Sequence, residues 1–189
     1  MARVFIYVVH DSGVADDTAF ELAAAARIID STQPPVAVVA GAGAELDAVC
    51  GSIAGCFGEV WKIVNEALSH ANAELVRQAL VKVVPPGSIV LVPHQHFGID
   101  LSPGLAVKLG AALVSDVTEI TAIEPNSLTV VRQEFGGQFH THVRCDVSTG
   151  AVITIRPGAF KPAPAPPPGL FRSAAAAAVR VDRGRNGGL

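Results

Sequence analysis

The sequence predicts an α/β fold: a doubly wound, mostly parallel sheet with helices on both faces and extra edge strands in its second half. Three observations lead there. Four short, β-branched apolar runs in the first half are each followed by a helix-like stretch, and strands that alternate with helices pair in parallel. The runs are apolar at successive positions rather than at alternate ones, as strands buried on both faces are. Apolar residues make up 50% of the chain but aromatics only 5%, so the core must be built from Ala, Val, Ile and Leu.

The first strand covers residues 3–9 (RVFIYVV), and a Gly- and Asp-containing loop follows over 10–17. Thr18-x-x-Glu21 has the form of a capping box, in which hydroxyl and carboxylate satisfy orphan amides at a helix start. That helix should run to about Asp30, since Pro34-Pro35 forbids continuation. A second strand at 36–40 (VAVVA) ends in Gly41-Ala42-Gly43 and leads to an Ala-rich helix over 44–54. The third strand is 59–64. Asn72 is placed to cap a helix through Val84, stopped by Pro85-Pro86-Gly87. The fourth strand, 88–92, is followed by a loop over 94–99 and a helix capped by Asp100, with Pro103 in its first turn.

The pattern then changes. Residues 113–123, 128–134, 139–147 and 152–156 all read as strands, separated by turn signals at Pro125-Asn126-Ser127, Gly136-Gly137 and Ser148-Thr149-Gly150. They extend the parallel sheet or form an antiparallel edge. Two units follow: a domain over 1–160, and a linker and tail over 161–189. The linker is the Pro/Ala run 162–168, a semi-rigid polyproline segment. Residues 173–180 are Ala-rich and read as a short helix, and 183–189 as a mobile end.

Composition narrows the function. The net charge is -3, and the globular part has no clustered Lys and Arg with which to neutralise a nucleic-acid backbone. No apolar run approaches the roughly 20 residues that span a bilayer. Met1-Ala2-Arg3 leads straight into a strand without the pattern of a signal peptide, and Cys50, Cys56 and Cys145 form no CxxC pair. The expectation is a cytoplasmic protein that binds no nucleic acid and inserts in no membrane.

Four segments carry a family resemblance. They are residues 4–10 with the helix start 18–27; Leu91-Val92-Pro93 with Gly98-Ile99-Asp100-Leu101-Ser102-Pro103 and Leu105-Ala106; Leu109-Gly110-Ala111 with Ser115-Asp116-Val117-Thr118; and Phe135-Gly136-Gly137 with Thr154-Ile155-Arg156-Pro157-Gly158-Ala159-Phe160. In this order and spacing residues 3–160 resemble the amino-terminal domain of electron-transfer flavoprotein alpha subunits. The resemblance implies a beta-type partner subunit, and a dehydrogenase or quinone reductase as redox partner. It also implies FAD held on a carboxy-terminal domain reached through a Pro/Ala-rich linker, so little FAD is expected on this chain; AMP would belong to the partner. The chain departs from the family at Ile99, where Arg is usual, and at His94-Gln95-His96 and His140-Thr141-His142, which replace small residues.

Two groups of residues are candidates for binding. Gly41 and Gly43 follow a strand and precede a helix, where exposed amides bind anions, but the third glycine of a dinucleotide fingerprint is missing. Gly98 and Asp100 lie at the carboxyl end of the fourth strand, the edge at which open α/β sheets take ligands. His140 and His142 share a strand face. If the loop carrying His94 and His96 meets that strand, four imidazoles would surround one zinc, copper, iron or nickel ion; otherwise the histidines face solvent or a partner with no shared centre. No Gly-x-Ser-x-Gly motif and no acid/base carboxylate pair is present, so the chain is read as an electron-carrier component with no catalysis of its own. The alternative is a stand-alone nucleotide- or metal-binding module that has lost the flavin function.

Overall fold

A computed structural model describes residues 3–162 and 177–180. The elements in chain order begin with β1 (Val4–Tyr7), a small antiparallel hairpin of β2 (His10–Asp11) and β3 (Val14–Ala15), and α1 (Thr18–Ile29). β4 (Val36–Gly41), α2 (Glu45–Ile53), β5 (Glu59–Val64), a 3-10 turn at Glu66–Leu68 and α3 (Ala73–Val83) follow. Next come β6 (Ile89–Pro93), α4 (His96–Leu109), β7 (Ala112–Glu124), β8 (Ser127–Glu134), a 3-10 turn at Phe135–Gly137 and β9 (Phe139–Asp146). β10 (Ala151–Ile155) and β11 (Ala177–Arg180) complete the set.

Among the described residues the main sheet has nine strands in the order β11-β5-β4-β1-β6-β10-β7-β8-β9. Pairing is parallel from β11 to β7, and β8 is antiparallel to both β7 and β9. The chain builds outward from β1 to β4 and β5, then crosses back to place β6 on the other side of β1. That reversal is the topological switch point of a doubly wound sheet.

Strand periodicity explains the two cores. Val4, Ile6 and Val8 point to one face and join the α1 and α2 residues Leu22, Ala26, Ile29, Leu46 and Ile53. Phe5 and Tyr7 point to the other and join Val76, Leu80, Leu101 and Leu105 of α3 and α4. Phe5, Ile6, Val36 and Leu91 are fully buried, which is why their strands carry no polar face.

The second half adds an antiparallel extension and then returns. β10 is not at the edge: it lies between β6 and β7, in register Ile153↔Leu91 and Ile153↔Val114, and all five of its residues are buried.

Three expected details differ. The capping box is not formed: Thr18 is already helical, and Asp16 Oδ1 accepts from its amide (2.9 Å) and hydroxyl. Glu21 instead accepts from the Gly158 amide at 2.7 Å, pinning the turn after β10 to α1. Asp100 does not cap α4, which begins four residues earlier at His96 behind Gln95. Pro103 consequently sits in the middle of the helix, on its exposed side. The early start is possible because position 98 is glycine: a Cβ there would stand 1.9 Å from the Pro93 carbonyl oxygen. Finally, residues 177–180 are not helical but form β11, parallel to β5. The predicted linker over 163–168 and the tail over 183–189 lie outside the described residues.

Candidate functional site at the carboxyl edge of the sheet

Two polar constellations sit at the carboxyl ends of the parallel strands, one on each side of the switch. The first is a cleft of about 360 Å³ bounded by the ends of β1 and β4, the segment 68–72 before α3, and Phe97 at the start of α4. Tyr7 lines it while only 5% exposed, with its ring stacked on Phe97 at 5.6 Å. Burial pushes the Tyr7 phenol far above its ordinary titration range, so it is a neutral hydroxyl at physiological pH. That hydroxyl has no hydrogen-bond partner among the described residues. His10 also lines the cleft. Its Nε2 donates to the Ala40 carbonyl at 3.0 Å, while its buried Nδ1 is unpaired.

The second constellation joins β6, β7, β8 and β10. Across the β7–β10 ladder Val114 pairs with Ile153 and Val117 with Ile155, so β7 holds one extra residue there. The bulge places Asp116 at φ 62°, a conformation most non-glycine residues avoid but Asp tolerates. Its amide donates to the Thr154 hydroxyl (2.9 Å), and its carboxylate accepts from Arg156 through Nε (2.9 Å) and Nη2 (2.5 Å). A third Arg156 nitrogen donates to Gln133 on β8. His94 closes the group, with Nδ1 2.8 Å from the Thr154 hydroxyl and Nε2 3.8 Å from Asp116. The hydrogen bond from Arg156 holds the Asp116 carboxyl below the usual range, and the His94, Arg156 and Arg132 charges act the same way. Every carboxylate oxygen is occupied, so the group is a tie among four strands, with no free nucleophile.

The predicted site residues divide between structure and cleft. Gly41 ends β4, and its missing Cβ makes room for the His10 ring and Leu46. Gly43 adopts φ 76° in the turn to α2. Gly98 serves the close approach of α4 to β6, and Asp100 is exposed, offering only its backbone carbonyl to Arg77. The four histidines are not brought together. His140 and His142 do share the exposed face of β9, opposite Gln133 and Val131. But β9 stands four strand positions from β6, roughly 19 Å at the usual strand spacing. Among the described residues no group of three or more His, Cys, Asp or Glu is arranged to hold a metal. Sequence reading missed Tyr7 and His10 as cleft residues and the bulge at Asp116, because neither a cleft nor a non-glycine bulge has a local sequence mark.

The fold and its carboxyl edge define an open, doubly wound α/β domain extended by antiparallel strands. Residues 4–183 match the electron transfer flavoprotein domain, and the chain belongs to that family. Three curated relatives are similar to part of it. Protein FixB of Clostridium saccharobutylicum is 29% identical over 107 residues, covering 54% of this chain and 32% of its own. The electron transfer flavoprotein subunit alpha of Clostridium acetobutylicum is 27% identical over 103 residues, 53% of this chain and 31% of its own. The alpha subunit of Thermoanaerobacterium thermosaccharolyticum is 30% identical over 105 residues, 54% and 32%. The matched stretch thus spans about a third of the length of these relatives.

Proposed function

We propose that this chain is an alpha-type domain of an electron-transfer flavoprotein, a scaffold that pairs with a beta-type subunit around FAD held largely outside it. The carrying observation is the family match over residues 4–183 together with the alpha-subunit relatives. The chain's own residues do not fit FAD. Gly41-Ala42-Gly43 lacks the third fingerprint glycine, and the helix it enters begins with Glu45 and Asp47, which oppose a pyrophosphate at that end. The flavin supplies the electron chemistry wherever it is bound, and this chain contributes position and interface. The antiparallel extension offers a surface for that interface. Phe135 and Phe139, 75% and 59% exposed, pack edge to face at the β8–β9 tip, and exposed aromatics of this kind mark contact sites.

AMP on the beta-type partner, a dehydrogenase or quinone reductase as redox partner, and a cytoplasmic setting complete the proposal. The described residues contain no helix long and apolar enough to cross a membrane. Native mass spectrometry of the chain co-expressed with a beta-type subunit tests the pairing. A one-to-one complex carrying a flavin-sized or AMP-sized increment supports it, and a chain that stays alone beside a folded partner rejects it. The switch-point cleft favours a second reading, a stand-alone binding module, which a lone chain with a bound small molecule would support.

A further inference from the structure

The cleft beside Tyr7 holds polar atoms that the fold leaves unused. Tyr7 is 95% buried by its 5% exposure, yet its hydroxyl opens on the cleft with no partner among the described residues. A hydroxyl that bonds nothing in the protein and opens on a cleft is free to bond a ligand there in place of solvent. His10 lines the same cleft: a carbonyl can only accept, so the bond to Ala40 places a hydrogen on Nε2, and the Nδ1 is buried without a partner.

Charge around the cleft selects what would satisfy them. Asp11 and Glu45 line it, and no Lys or Arg does. Three helix starts lie near it, and α4, which begins at His96 beside the lining Phe97, has no side-chain cap and no acidic residue in its first turn. α2 carries Glu45 and Asp47 in its first turn, and α3 is capped by Asn72, whose side chain accepts from the Leu75 amide at 3.0 Å. The two full negative charges of Asp11 and Glu45 outweigh the roughly half positive charge that a helix start such as that of α4 presents. Ser12, Ser69, His70 and Asn72 also line it, and the remainder is apolar or aromatic, with the Phe97 ring stacked on Tyr7.

We propose that this cleft binds a small organic cation, an amine with an aromatic or apolar body, whose N–H groups meet the Asp11 and Glu45 carboxylates and the Tyr7 hydroxyl. The body lies against Phe97 and the aliphatic lining, where an aromatic face also attracts a cation. A phosphate-bearing ligand is disfavoured by the same charges. This inference stands apart from the pairing with a beta-type subunit, since it needs neither flavin nor partner.

Three probes of nearly one shape and different charge test it on the 189-residue chain: phenethylamine, 2-phenylethanol and phenylacetate, titrated by calorimetry at fixed ionic strength, with AMP alongside. The expected order is amine first, alcohol about threefold weaker and phenylacetate at least about tenfold weaker. Asp11→Asn with Glu45→Gln should weaken the amine about fivefold and leave the alcohol unchanged. Tyr7→Phe should weaken the amine while leaving the melting temperature unchanged, because the hydroxyl bonds nothing in the protein; a residue with only a packing role would not separate the two. Phenylacetate or AMP binding as tightly as the amine, no binding by any probe, or an amine affinity indifferent to Tyr7→Phe would each overturn the proposal.

Discussion

Replacing Arg156 by Met tests the tie at the bulge most directly. The guanidinium makes two charge-assisted bonds to Asp116 and one to Gln133, with the carboxylate 18% and the guanidinium 36% exposed. Exposed ion pairs contribute about 0.2–1 kcal/mol, whereas breaking a buried one costs about 3–5 kcal/mol. This pair lies between those limits, so Arg156→Met should cost about 2 kcal/mol, or about 4–8 °C in Tm for a chain of this size. Asp116→Asn is the matched probe: Asn tolerates positive φ as Asp does, removes the charge and leaves one acceptor oxygen of the two that Arg156 uses. A double-mutant cycle on the two should return a coupling of about 1 kcal/mol at neutral pH. Because the native Asp116 carboxyl titrates below its unfolded value, its contribution is complete above the unfolded pKa of about 3.9. It falls away as the pH drops through the lower native value. Urea unfolding followed by the single tryptophan, Trp61, measures all three quantities. A cost under about 0.5 kcal/mol at neutral pH, strict additivity, or a coupling that persists in acid below the native titration would show that the tie does not hold the strands as argued.

Other substitutions separate the roles assigned to neighbouring residues. Gly98→Ala drives a Cβ to within 1.9 Å of the Pro93 oxygen and should cost about 3 kcal/mol or more, read as loss of cooperative unfolding by circular dichroism. Gly43→Ala meets open space but a φ of 76°, so the same assay should show only about 1 kcal/mol. Asp16→Ala should cost about 1 kcal/mol as a lost cap, and Glu21→Gln should perturb the amide exchange of Gly158 rather than that of the α1 start. Phe135→Ser with Phe139→Ser should leave the free chain within about 0.5 kcal/mol of the parent yet weaken the complex with a beta-type subunit by at least about tenfold in Kd.

Strand identity was legible because burial on both faces leaves a continuous apolar run: VFIY, VAVVA and IVLV could hardly be anything else. The alternating strands and helices also implied parallel pairing with helices on both faces. Helix starts were less legible. Pro103 favours a first-turn position, which pointed to Asp100 as a cap. The decisive contact is instead between Gly98 and the Pro93 carbonyl, and a sequence does not show how closely a helix returns to the strand before it. At Thr18 the two residue types of a capping box were present, but Asp16 lay two residues away and competed successfully for the same amide. The Ala-rich stretch at 177–180 shows the reverse bias, since helix propensity there yields to an open sheet edge at β5.

Strand order was the larger gap, and it determines what the carboxyl edge can do. The shared face of His140 and His142 follows from period-two geometry, but their distance from His94 follows from β10 entering the sheet between β6 and β7. That insertion carries Thr154 and Arg156 to Asp116, so the edge on that side of the switch is fully paired. On the other side, among the described residues, no strand is inserted beside β1 and β4, and β11 returns only at the far edge next to β5. Tyr7 and His10 are left lining a cleft, the Tyr7 hydroxyl with no partner among the described residues. The same edge of one sheet is therefore closed where β10 is inserted and open at the ends of β1 and β4, and the proposed binding role belongs to the open half.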